Sequence, residues 1–158
     1  GIEYYTDFYG FGYDHSTHDY LLVTMSSQVN YNPRMPPHLE FFSLRANTWK
    51  EIEGTQFTYR NIMDIQQPAA GFLFNRAIHW FAYYPDLQEY VIVAFDLMEK
   101  KLFNMHLPDD FDREPEEYGL WVFGEFLSLW AVYYGDFDLT LEVWVMKEYK
   151  VNSPWTKT

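Results

Sequence analysis

The sequence predicts an all-β fold, and three observations carry that prediction. Aromatic residues make up 22% of the 158 positions, with Tyr 14, Phe 14 and Trp 6, and such side chains favour the pleated, half-buried surface of a sheet. Short extended apolar runs follow one another with clusters of turn-forming residues between them. One phrase also returns three times, at 41–54, 94–108 and 144–157: an extended apolar run, a polar turn, then a large aromatic residue. Hydrophobic residues make up 48%, enough for about one domain with a real core.

Taken in order, "DFYGFGYD" (7–14) and "DYLLVTMSS" (19–27) read as two strands joined by the turn formers "HSTH". The stretch "QVNYNPRMPP" (28–37) holds three prolines and two asparagines, so it leaves the sheet as a loop. "HLEFFSL" is a third strand, "RAN" a turn and "TWKEIEG" a short closing strand. After the loop "TQFTYRNIMDIQQP" the same order returns: "AAGFLFN" and "AIHWFAYY" form a hairpin, "EYVIVAFDL" is the third strand, "MEK" turns and "KLFNMHLP" closes. The acidic "DDFDREPEE" precedes a third pass through "YGLWVFG", "FLSLWAVYY", the turn "GDFD", "LTLEVWVM" and "SPWTKT".

Leu44, Leu97 and Met146 close the third strands, 53 and 49 residues apart, and Trp49, Phe103 and Trp155 mark the fourth strands, 54 and 52 apart. A four-stranded unit repeating about every 50 residues is the pattern of a kelch-type β-propeller blade. Three blades are expected, at about 7–54, 68–108 and 118–157, within one domain over 1–158 that is incomplete at both ends. Neighbouring blades stack face to face, so a large aromatic near each outer edge fills the gap that widens with radius. Trp49, Phe103 and Trp155 are the expected fillers, structural rather than ligand-binding. Gly10, Gly12, Gly71, Gly119 and Gly124, near the first strands, suit backbones crowded towards a central axis.

These residues also carry a resemblance. "YGFGYDHSTHDYLLV", "HLEFFSLRANTWKEI", "GFLFNRAIHWFA", "EYVIVAFDLMEKKLFNMHLPDD" and "LEVWVMKEYKVNSPWTK", in that order over nearly the whole chain, resemble the F-box-associated domain of plant F-box proteins, and the S-locus F-box group within it. The resemblance implies a propeller-like substrate receptor, joined through an F-box that these residues do not include to a Skp-type adaptor and cullin of a ubiquitin ligase. In the S-locus branch it implies capture of a stylar ribonuclease in self-incompatibility.

Charge and composition narrow the remaining classes. Formal net charge is −12, with −4 over residues 1–54, −1 over 55–108 and −7 over 109–158. Such a chain repels phosphate backbones, so no nucleic-acid or membrane partner is expected, whereas a basic protein would be attracted. No apolar run reaches the roughly 20 residues a membrane-spanning helix needs. There is no Cys, hence no disulfide, thiolate or Cys-built zinc site, and no N-x-Ser/Thr sequon. With no signal-like N-terminus, these absences point to the cytoplasm or nucleus.

No Gly-rich phosphate loop, G-x-S-x-G elbow or H-E-x-x-H is present, so no enzyme activity, cofactor or metal is expected. Asp14, His15, His18 and Asp19 read as a turn rather than a metal cluster, and His79 and His106 as core or edge residues. Partner binding is expected in the loops: Tyr31, Arg34 and Met35 in the proline-rich loop, Asp109, Asp110, Asp112, Glu114, Glu116 and Glu117 in the acidic segment, and Asp136, Phe137 and Asp138 in the third blade's turn. Reversing Asp109, Asp110 and Asp112 to Lys should slow association with a basic partner. A lectin-like module is the alternative, with Tyr4, Tyr5, Tyr59, Tyr83, Tyr84, Tyr133 and Tyr134 as exposed stacking platforms. The pairs in "AYYPD" and "VYYGD" mark one structural position.

Overall fold

The computed structural model describes residues 4–28, 38–52, 59–61, 67–111, 115–152 and 154–158. Among them the structure is all-β, with three sheets and no helix. The first sheet holds β1 (Tyr4–Asp14), β2 (Asp19–Gln28), β3 (His38–Ser43), β4 (Thr48–Glu51) and β5 (Ala69–Ala70), in the order β4-β3-β2-β1-β5. The second holds β6 (Phe72–Phe74), β7 (Ala77–Tyr84), β8 (Glu89–Asp96) and β9 (Lys101–His106) in sequence order. The third holds β10 (Glu117–Phe123), β11 (Phe126–Tyr134), β12 (Leu139–Met146) and β13 (Thr156–Lys157), likewise in order. The chain divides into two compact units, 1–104 and 105–158.

One departure from the sequence expectation lies at 69–74, read as a single strand. It divides at Gly71: Ala69 and Ala70 pair in parallel with Phe8 and Tyr9 of β1, while Phe72–Phe74 pair with β7. The Gly71 amide donates to the Tyr9 carbonyl at 2.8 Å. A Cβ on Gly71 would sit 2.7 Å from the Trp80 indole nitrogen, so the bare backbone is what lets this segment serve two sheets.

Alternation along the strands builds the first unit's core. Phe8, Leu21, Val23, Met25, Leu39 and Phe41 share one face of the first sheet, and Ile78, Trp80, Ala82, Val91, Val93, Phe95 and Leu97 share one face of the second; together they form a single buried cluster. Glycines make the close approach. A Cβ on Gly10 would fall 2.6 Å from Ile78 Cγ2, and one on Gly12 would collide with the Leu97 side chain. Trp80 adds a polar tie, its Nε1–H donating to the Tyr9 carbonyl at 2.9 Å, as a buried indole requires a partner. Gly124 plays a different part from the one expected of it. It sits in the β10–β11 turn with φ +64° and open space where a Cβ would be, a left-handed position that glycine fills without strain.

Two turns fix how the first two sheets correspond. Asn47 N–H donates to Ser43 O and Lys100 N–H to Asp96 O, both at 2.8 Å, with φ +56° at Asn47 and Lys100 alike. Leu44 N–H donates to Tyr20 O and Leu97 N–H to Arg76 O, both at 3.1 Å. Leu44 and Leu97 are therefore equivalent, as their spacing indicated. The same register places Leu102, not Phe103, at the position of Trp49, and Phe103 one residue on, across the pleat. Trp49 itself is 51% exposed and stacks on Phe42 with ring centroids 5.3 Å apart.

In the second unit, Leu127, Leu129, Ala131, Trp144 and Met146 are buried on one face of the third sheet. Trp155 precedes β13 and is partly buried; its Nε1–H donates to the His106 carbonyl at 2.9 Å. Trp144 donates to Asp110 Oδ1 at 2.9 Å and meets the Phe111 ring edge-on at 5.6 Å.

Candidate protein-binding loops

Strand direction decides where the loops emerge. In a sheet that runs up, down, up, down, the turn between second and third strands and the connection into the first strand share one end. The first strands of the two sheets in the first unit run the same way, because β5 is parallel to β1 and continues into β6. Gln28, where β2 ends, and His38, where β3 begins, therefore lie at the same end of that unit as the β7–β8 turn (85–88). Residues 59–61, on the approach to the second sheet, lie at this end too: Arg60 and Tyr83 exchange two backbone hydrogen bonds of 2.9 Å. The third sheet repeats the arrangement, since Glu116 N–H donates to Val132 O at 2.9 Å, two residues before Tyr134 and the 135–138 turn. Glu116, Glu117 and the "GDFD" turn thus share one end of the third sheet.

The individual residues fare differently. Tyr31, Arg34, Met35, Asp112 and Glu114 lie outside the described residues. Asp109, Glu116, Glu117, Asp136, Phe137 and Asp138 are exposed, and Phe137 stands fully clear of its neighbours. Asp110 is a scaffold residue as well as a surface one: besides accepting from Trp144 it lies 3.8 Å from Lys157 Nζ, which also pairs with Glu142 at 2.9 Å. Leu87, unremarked in the sequence, is exposed at the tip of the β7–β8 turn, where Phe137 stands on β11–β12. A signal existed: "YYPDLQ" and "YYGDFD" share the tyrosine pair, the Asp and a large apolar residue at the tip. Tyr84 pairs with Glu89 and Tyr134 with Leu139, so the tyrosine pairs do occupy one position beside the two turns.

Tyr59 corrects the expectation of an exposed platform. It is 2% exposed, packs on Tyr84 with centroids 5.0 Å apart, and burial pushes its phenol well above the usual range. Tyr4 and Tyr5 have no described side chains.

At the opposite end of the first unit the turns are locked. Asp14 is wholly buried and accepts from Ser16 N–H at 2.9 Å, Ser16 Oγ at 2.5 Å, Thr17 Oγ1 at 2.9 Å and Lys100 Nζ at 2.5 Å. Burial alone would raise this carboxyl, but the bonds from Lys100, Ser16 and Thr17 together hold it well below the usual carboxylate range. Asp19 accepts from Ser43 Oγ and, at 2.9 Å, from Arg45 N–H; the Ser43 bond leads in lowering its pKa. The Asp14–Asp19 stretch is thus the turn its sequence suggested. Among the described residues no group of three or more His, Cys, Asp or Glu could hold a metal ion. One end of the first unit is closed by these bonds, and the other carries the exposed tip of the β7–β8 turn.

Three sheets of four or five strands, laid down one after another along the chain, define an all-β repeat scaffold. The particular family follows from comparison with known proteins. The family model for the F-box associated beta propeller domain matches residues 2–158, and the chain belongs to that family. The F-box protein CPR1 of Arabidopsis thaliana is 28% identical over 164 residues, which cover 95% of this chain and 39% of that protein. The chain thus spans about two fifths of that relative's length. No solved structure matches it.

Proposed function

We propose that this chain captures a protein substrate for a ubiquitin ligase of the F-box type, and that it grips a basic surface with the exposed acidic groups of its second unit. The carrying observation is the coincidence of charge and exposure there: Asp136, Phe137 and Asp138 lie exposed on one turn, with Asp109, Glu116 and Glu117 exposed in the same unit. Acidic groups steer a basic partner into encounter, and the apolar Phe137 supplies contact area once it arrives. The role is binding rather than catalysis, exercised in the cytoplasm beside a Skp-type adaptor. A basic stylar ribonuclease is the substrate that the S-locus resemblance nominates.

The test is association kinetics of a basic ribonuclease with the wild type and with a variant carrying Asp109→Lys, Asp136→Lys and Asp138→Lys. Asp110 is left intact because it holds Trp144. About a tenfold loss of association rate at low salt, with a flatter salt dependence, is expected. Unaltered rates would remove the electrostatic reading. Exposed Trp121 and Tyr134 favour a second reading, a glycan-binding surface, for which a sugar-dependent rise in melting temperature is the check.

A further inference from the structure

We propose that the end of the β11–β12 hairpin is the anchor of the receptor, and that it seats in an apolar pocket bordered by cationic side chains on a basic protein partner. The inference rests on the receptor reading above and specifies the surface that the partner brings to it. Three apolar side chains gather at the hairpin end and stand clear of the core: Tyr134 is 54% exposed, Leu139 is 60% exposed and Phe137 is wholly so. Tyr134 and Leu139 are a cross-strand pair, so their side chains leave one face of the sheet together, with Phe137 on the turn that joins them. The second sheet shows that such a turn does not need this apolar character. There Tyr84 pairs with Glu89, a charged residue where the third sheet has Leu139, and Tyr84 packs on the buried Tyr59. A solvated turn gains nothing from leucine in place of that glutamate, whereas a contact surface does.

The charges around the tip complete the description of the partner. Asp136 and Asp138 flank Phe137, and Glu117 shares the face of Tyr134, since it pairs with Val132. All three are exposed, and none forms an ion pair with another described residue. Lys147, Lys150 and Lys157 lie towards the other end of the third sheet, where Lys150 pairs with Glu148 and Lys157 with Glu142 and Asp110. Carboxylates on both sides of an apolar tip complement a pocket whose rim is cationic. The tip is also held in shape: Gly135 N–H donates to the Asp138 carbonyl at 2.8 Å, and a Cβ on Gly135 would collide with Asp138 Oδ1, so the bare glycine leaves the room that this carboxylate takes. A turn closed beforehand lowers the ordering cost of binding, and an aromatic ring fixed on it is the kind of residue that dominates interface energy.

Dissociation kinetics of a basic ribonuclease from this chain test the anchor, because steering charges act on association and a desolvated apolar contact acts on dissociation. Phe137→Ser should speed dissociation roughly tenfold with the association rate unchanged, and Leu139→Glu, which installs the residue of the second sheet, should speed it about threefold. Both positions are solvated in the free chain, so melting temperatures should stay at the wild-type value. Leu87→Ser, on the equivalent turn of the second sheet, should leave dissociation as it is. A Phe137→Ser variant that dissociates at the wild-type rate would overturn the anchor, and the triple lysine variant then decides the receptor reading separately. An equal acceleration by Leu87→Ser would overturn it as well. Absence of any complex with the wild type would remove the anchor and the receptor reading together. Self-association of the wild type that Phe137→Ser abolishes would overturn the proposal in favour of a second copy of this chain.

Discussion

Replacing Lys100 by Asn isolates the bond that ties the first two sheets together. Lys100 Nζ reaches Asp14 Oδ2 at 2.5 Å and the Leu97 carbonyl at 3.1 Å, with the Phe41 ring centroid 5.5 Å away. Asn is the informative replacement because Asn47 holds the equivalent position with the same φ of +56°, so the backbone conformation is retained while the charge goes. Stripping one partner from a buried ion pair costs about 3–5 kcal/mol. Here Lys100 is 24% exposed and Asp14 keeps its Ser16 and Thr17 bonds, so a loss of about 2 kcal/mol is expected. Urea unfolding followed by tryptophan fluorescence reads it at pH 7. The Asp14 pKa is depressed in the fold, so the pair's contribution is complete above the unfolded value of about 3.9 and fades as pH falls towards the lower folded one. The gap between wild type and Lys100→Asn should therefore narrow steadily below about pH 4. A loss under about 0.5 kcal/mol at pH 7, or a gap that does not narrow between pH 4 and pH 2, would refute the reasoning.

Gly12→Ala should destabilise by about 1–3 kcal/mol, because its Cβ would press into Leu97, and Leu97→Ala in the same chain should recover part of that loss in a urea double-mutant cycle. His79 is buried and its pKa is held down to about 4, burial disfavouring the imidazolium while bonds to the Phe72 and Ala77 carbonyls pull the other way. Its contribution to stability should be intact above about pH 6.5 and fall by about 3 kcal/mol towards pH 4, a slope that His79→Gln abolishes in unfolding curves taken across that range. Asp110→Asn, which keeps an acceptor for Trp144, should unfold the second unit within about 1 kcal/mol of wild type, whereas Asp110→Lys should lose about 2 kcal/mol.

Local chemistry wrote most of the strand plan into the sequence. The alternation in "DFYGFGYD", the apolar run "EYVIVAFDL" and the turn formers between them each specify their own conformation, and the strands formed where those runs stand. What escaped was set by partners far along the chain. Asp14 and Lys100 are 86 residues apart and Trp80 and Tyr9 are 71 apart, so no window of sequence contains either pair. Tyr59 sits in a polar stretch whose composition says loop, and its packing into the cluster between the first two sheets, on Tyr84 among others, makes it core. Phe103 was placed by aromatic character, but the turn hydrogen bonds count residues differently and give the position to Leu102. For the binding loops, charge was legible at once. Which acidic groups were free was not, because the Asp110 commitment to Trp144 spans 34 residues.

The segment at 69–74 has a mechanical consequence. Its first two residues are stitched to β1 and its last three to β7, with Gly71 fastened to Tyr9 between them. Fraying either sheet from its inner edge pulls on the other through these six residues, so the pair should melt as one cooperative block, and amide exchange at Tyr9 and at His79 should report the same opening event.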